Sequence, residues 1–167
     1  MTAPTCRLFL ALWPAPATRR ALAGAQQHWQ WPAGALLTPA DKLHLTLHFI
    51  GAVPAARVAA VAEGLALPSR RFTLVLDTAE VWPNRCAVLA ARQVPPALAA
   101  LHSALADRLR DLQLPVEDRA FRPHVTLARK AAGARPPEAP EAVRWAMRGH
   151  VLLQSAAGRY TPIARYT

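Results

Sequence analysis

A chain of 167 residues, 53% of them hydrophobic, with a mean hydropathy of +0.10, can bury a core, which excludes wholesale disorder. Its longest apolar runs are too short to cross a bilayer as helices. The formal net charge is +10 and the pI near 11.3. The cations are nearly all arginine, with Lys42 and Lys130 the only lysines. Arginine's planar fork matches phosphate oxygens, so the balance suits a polyanion such as nucleic acid. A coding bias toward Arg, Ala and Pro would produce the same composition.

In chain order, Arg7–Trp13 reads as a buried strand ended by Pro14. Its apolar run is too short for a signal-peptide core, although Ala15-Pro16-Ala17 resembles a cleavage site. A helix over Pro16–Trp29 follows, then a turn at Trp31–Gly34. Leu43-His44-Leu45-Thr46-Leu47-His48-Phe49 alternates as a strand should, with the leucines toward a core and His44, Thr46 and His48 on the other face. A second helix is expected over Ala55–Leu67, a strand over Phe72–Asp77, and a hairpin turn at Trp82–Arg85 leading into a strand over Cys86–Arg92. Pro95-Pro96 opens a third helix that runs through Arg110 with a leucine stripe. Pro123-His124-Val125-Thr126-Leu127-Ala128 then repeats the first motif, about 80 residues further on. Gly133–Pro140 reads as an exposed loop, Val143–Ser155 as one bent strand around Gly149, and Tyr160–Tyr166 as a short final strand. Cys6 and Cys86 read as free thiols of a reducing, cytoplasmic protein.

Seven or eight strands and three helices in mixed order predict an α+β fold with largely antiparallel sheets. One His-x-Thr in each half of the chain predicts two pseudo-symmetric lobes with helices packed outside and a cleft between them. On a strand, residues i and i+2 share a face, so each motif projects an imidazole and a hydroxyl side by side. Two such strands facing one another would point two imidazoles and two hydroxyls at one volume. Phosphoryl displacement can use that set: one imidazole can take a proton from the attacking oxygen, and the other, protonated, can give one to the departing oxygen. The hydroxyls donate to the phosphate oxygens on which charge builds. His48 shares the His44 face by alternation and could line the cleft. No acidic residue stands at ligand spacing with His44, His48 and His124, and Thr is a poor ligand, so no metal is expected.

His44-Leu45-Thr46-Leu47 and His124-Val125-Thr126-Leu127, with Arg7–Leu12 at the start and Arg159-Tyr160-Thr161-Pro162 near the end, resemble the two-histidine (2H) phosphoesterase superfamily. Within it, the bacterial RNA 2',3'-cyclic phosphodiesterases, historically called 2'-5' RNA ligases, match best. The resemblance runs through essentially the whole chain. It implies one bilobal domain over residues 1–167, without cofactor or metal, that hydrolyses RNA 2',3'-cyclic phosphate ends to 2'-phosphomonoesters. His44 matches the family's proton donor, His124 its proton acceptor, and Thr46 and Thr126 its phosphate-contacting hydroxyls. Arg129 matches a basic residue near phosphate and base, and Phe49 an aromatic that stacks on the terminal nucleobase. Strict alternation sets Phe49 and Arg129 on the faces opposite His44 and His124, so each serves the site only if its strand twists, bulges or ends there. The residues alone do not decide which imidazole is acid and which is base. The implied partner is RNA with a cyclic phosphate end, met by a monomer away from any membrane. Alternatives are the reverse, end-joining reaction, a related enzyme for a small cyclic phosphate, and a module that grips RNA ends without turnover.

Overall fold

Proline and glycine punctuation sets the element boundaries. The computed structural model describes all residues, Met1–Thr167. β1 (Thr5–Leu12) ends before Pro14, and α1 (Pro16–Gln26) starts with proline in its first turn, where a missing N–H costs nothing. β2 (Leu36–Leu37) is a two-residue strand absent from the sequence expectation. A 3-10 turn over Ala40–Lys42 feeds β3 (Leu45–Pro54), the first motif strand. The helix expected over Ala55–Leu67 is shorter: a 3-10 turn at Ala55–Arg57, then α2 (Val58–Gly64). β4 (Phe72–Leu76) is the strand expected over Phe72–Asp77, whereas β5 (Thr78–Val81) is absent from the sequence expectation, and the two enter different sheets. β6 (Ala87–Ala90) completes a hairpin with β5. α3 (Pro96–Asp111) again has proline in its first turn and buries Leu98, Leu101, Leu105 and Leu109 along one stripe. β7 (His124–Arg129) carries the second motif.

The bent strand expected over Val143–Ser155 is two strands, β8 (Val143–Met147) and β9 (His150–Ala156). Gly149 separates them at φ +89°, packed so closely on the Tyr166 carbonyl that a Cβ has no room. β10 (Arg159–Tyr166) ends the chain's regular structure.

Every strand pairing is antiparallel, as the α+β reading predicts. One four-stranded sheet has the order β10-β9-β1-β3 and the other β2-β7-β6-β5, with β4-β8 as a separate pair. Each four-stranded sheet holds one His-x-Thr strand. The sheets are not successive halves of the chain, however: the first takes both ends of the polypeptide and the second its middle. β3 forms an edge of its sheet, whereas β7 lies inside its own.

A continuous core of 28 buried residues runs beneath both sheets, from Leu8, Leu10 and Leu12 to Val125 and Leu127. Each fully buried leucine contributes about 1.5–3 kcal/mol. The opposite face of the first sheet carries a small cluster of Phe9, Ala11, Val151 and Leu153, packed against Trp13 and Tyr160. No helix is long and apolar enough to cross a membrane, and Cys6 and Cys86 are unpaired.

Candidate active site

The two motif strands break strict alternation in the same way. In β3, Ala11 pairs with Thr46 and Leu10 with His48, so Leu47 is an extra residue between consecutive partners of β1. In β7, Val88 pairs with Thr126 and Ala87 with Ala128, so Leu127 is the extra residue. A bulge shifts side-chain parity by one. Leu47 and His48 are therefore both buried, as are Leu127 and Ala128, and the next residue in each strand returns to the motif face. That residue is Phe49 in β3 and Arg129 in β7.

The bulge in β7 has an identifiable support. Gln26, buried at the end of α1, donates from Nε2 to the Leu127 carbonyl at 2.8 Å and to the Thr38 carbonyl at 2.9 Å. Thr38 donates from its own N–H to the Leu127 carbonyl and from Oγ1 to the Thr126 carbonyl at 2.8 Å.

Between the sheets lies a cleft of about 560 Å³, and all six sequence-predicted site residues line it: His44, Thr46, Phe49, His124, Thr126 and Arg129. Arg7, Lys42 and Tyr160 join them, and no carboxylate lines the cleft. Three fixed cations in a concave, carboxylate-free wall attract an anion. The Arg7 guanidinium carbon lies 4.8 Å from the Phe49 ring centroid.

Both imidazoles are held alike. His44 Nδ1 lies 2.7 Å from the Lys42 carbonyl, and His124 Nδ1 lies 2.7 Å from the Arg122 carbonyl. A carbonyl only accepts, so in the neutral ring each Nδ1 carries the hydrogen and each Nε2 keeps its lone pair. The Thr46 hydroxyl reaches His44 Nε2 at 3.1 Å. Around His44 stand Phe9, Trp13 and Tyr160, with ring centroids at 5.3, 5.6 and 5.4 Å. His124 instead packs on Trp82, at 4.2 Å.

Both histidines titrate below the ordinary imidazole value of 6.5. For His44 the main cause is burial; the Lys42 carbonyl opposes it, and the charges of Arg129, His124 and Arg19 add to it. For His124 burial again leads, opposed by the Arg122 carbonyl and reinforced by Arg119 and Arg122. At neutral pH both rings are therefore neutral bases. An anion beside either ring would favour its imidazolium form.

His48 corrects the alternation reading. The bulge at Leu47 turns it away from the cleft into the core face, where it stacks on His102 at 4.0 Å and its Nε2–H donates to the His102 carbonyl at 2.8 Å. His150 is buried and bonded to the Leu65 carbonyl at 3.0 Å, a packing role. The sequence reading missed Trp82, Trp13 and the Lys42 and Arg122 carbonyls as parts of the site. A carbonyl two residues before each histidine is a pattern the doubled motif contains, but only the backbone path reveals it.

The family model of the 2'-5' RNA ligase superfamily matches residues 14–157. The RNA 2',3'-cyclic phosphodiesterase of Escherichia coli (strain K12) is 33% identical over 171 aligned positions, covering 96% of this chain and 95% of that protein. A crystal structure of a phosphoesterase superposes with a TM-score of 0.88 at 30% identity, over 98% of both chains. E. coli LigT complexed with 3'-AMP superposes with a TM-score of 0.86 at 31% identity, again over 98% of each. With the doubled His-x-Thr on two facing sheets and this likeness along nearly its full length, the chain belongs to the 2'-5' RNA ligase superfamily of two-histidine phosphoesterases.

Proposed function

We propose that this protein hydrolyses the 2',3'-cyclic phosphate at RNA ends to a 2'-phosphomonoester, without metal or cofactor. The observation that carries the reading is the pair of imidazoles, one from each sheet, lining one anion-attracting cleft with Nδ1 tied to main chain and the Nε2 lone pair left to take a proton. The name of the E. coli relative supports the cyclic phosphodiester as substrate class. In this mechanism His124 Nε2 accepts a proton from water as the water oxygen bonds to phosphorus. The P–O3' bond breaks on the opposite side, and His44, protonated when the phosphate binds, gives its Nε2 proton to O3'. Thr46 and Thr126 donate to the equatorial phosphate oxygens, and Arg129 balances their charge. Phe49 stacks on the terminal base, an interaction every base offers. The 167 residues act as one unit on this account, because neither sheet alone holds both proton carriers. Joining two RNA ends uses the same groups, with a 5'-hydroxyl in place of water, and is favoured by the family's name; water in excess makes hydrolysis the main outcome.

The test is turnover of a 2',3'-cyclic mononucleotide by the protein and by His44→Ala and His124→Ala. Each variant is expected to lose about 10²–10⁴-fold in rate, with an unchanged melting temperature. EDTA is expected to leave the wild-type rate alone. Full turnover by either variant, or loss on chelation with recovery on adding metal, contradicts the proposal.

A further inference from the structure

Trp82 opens the turn between β5 and β6, and its backbone is closed into that turn. Its N–H donates to the Cys86 carbonyl at 2.8 Å, and its carbonyl accepts from the Arg85 N–H at 2.8 Å. Arg85 supplies the left-handed residue that such a turn requires, at φ 64°. The side chain is held as firmly. The indole N–H donates to Glu80 Oε2 at 2.8 Å. Arg122 bonds the same carboxylate oxygen at 3.2 Å, and its guanidinium carbon lies 4.8 Å from the indole centroid. The backbone of Arg122 then completes a circuit, because its carbonyl accepts the His124 Nδ1–H at 2.7 Å, and the His124 ring rests against the indole at 4.2 Å, tilted by 54°.

One hydrogen bond at Nδ1 does not fix an imidazole, because the ring torsion of histidine is broad and the ring can swing about that bond. A general base must keep Nε2 within hydrogen-bond reach of the attacking oxygen. His44 has three aromatic rings around it for this purpose; Trp82 is the one aromatic ring packed on His124. The indole is not free to serve as a platform for a nucleobase, since it already carries Arg122 and His124.

We propose that Trp82, itself locked by Glu80 and Arg122, is a positioning residue that holds His124 Nε2 on the line of attack at phosphorus. The proposal rests on the reading of His124 as the proton acceptor. The indole also shields one side of the ring from water, and burial is the leading cause of His124's depressed titration. The charged and titratable groups around His124 are Arg119 and Arg122 on its own approach segment, Glu80 on β5, and His44 across the cleft. Removing the indole leaves their charges in place but admits water. The His124 midpoint then rises toward 6.5, and the acid limb of kcat/KM moves to higher pH, since the base must be neutral to act.

The experiment compares wild type with Trp82→Ala, Trp82→Phe and Glu80→Ala. It measures hydrolysis of a 2',3'-cyclic mononucleotide, thermal melting, and titration of the His124 ring by NMR. Trp82→Ala is expected to lower kcat by about 10²-fold, the scale of a misplaced reacting group, with KM changed less than about threefold. Its His124 midpoint rises. Trp82→Phe keeps a ring against His124 and regains most of the rate. Glu80→Ala keeps the indole but releases it, and falls between wild type and Trp82→Ala. A folded Trp82→Ala with wild-type kcat and an unmoved His124 midpoint overturns the proposal. If Trp82→Ala does not fold, a Glu80→Ala protein with wild-type kcat and an unmoved midpoint overturns it equally. A wild-type protein inert on the cyclic nucleotide would sink the hydrolase reading instead, while the NMR titration, which needs no turnover, still decides whether Trp82 governs His124.

Discussion

Replacing His102 with phenylalanine is expected to make the protein less sensitive to acid. His102, on α3, is sandwiched between His48, on the core face of β3, and Phe121, just before β7, with ring centroids at 4.0 and 3.9 Å. The stack thus ties together the approaches to both motif strands. Burial first, and then the neighbouring His48, push the His102 titration from 6.5 down to about 4. The folded protein therefore resists a proton that the unfolded chain accepts. Stability from the neutral ring is complete above pH 6.5 and is lost as pH falls through that value toward about 4. A fully buried group with this displacement would cost about 3 kcal/mol across the window. The ring is only half-buried, so solvent screening brings that to about 1–2 kcal/mol. Phenylalanine keeps the stack and removes the titration. For a chain of this size the difference corresponds to about 3–6 °C in Tm. The assay is thermal melting followed by circular dichroism at pH 7.5 and pH 4.5. His102→Phe should lose that much less Tm between the two conditions than wild type; equal losses in both proteins would refute the reasoning.

Three further outcomes follow from the site. Because His44 and His124 both titrate below 6.5, kcat/KM, which reports the free enzyme, should peak on the acid side of 6.5 and fall as rising pH removes the acid's proton. The bound phosphate anion raises both midpoints, so the kcat maximum lies at higher pH than the kcat/KM maximum; a reversed order contradicts the assignment. Gln26→Leu strips the Leu127 and Thr38 carbonyls of their buried amide partner and should cost about 1–3 kcal/mol in urea unfolding, whereas unchanged stability would mean that the β7 bulge does not depend on it. Phe49→Ala should raise KM by about 5–100-fold, as stacking of one base is worth, with similar penalties for all four bases; a penalty confined to one base would point to edge recognition.

The doubled motif was legible because alternation and spacing are local properties of the chain. His44 and Thr46, like His124 and Thr126, share a face by strand geometry alone, and the intervening leucine and valine mark the core side. The position of Phe49 and Arg129 was not legible. Leu47-His48 and Leu127-Ala128 carry no residue that announces a bulge, and the parity change is set by pairing with β1 and β6 and by Gln26, 101 residues away from the carbonyl it serves. His48 was misplaced for the same reason. The sheet assignments of β4, β5, β8 and β9 depend on where the chain is cut. Gly149 does cut it, but its requirement comes from the Tyr166 backbone, a contact made only after folding. Trp82 reads from the sequence only as part of a hairpin turn, because the His124 ring it packs on lies 42 residues further along the chain.

The most direct measurement is phosphorus NMR of the product formed from an RNA oligonucleotide ending in a 2',3'-cyclic phosphate, with EDTA present throughout. A single 2'-phosphomonoester resonance that grows with wild-type protein, and fails to grow with His44→Ala or His124→Ala, is what two imidazoles acting across one phosphorus centre predict. A 3'-phosphomonoester, or product formation undiminished by loss of either ring, would contradict it.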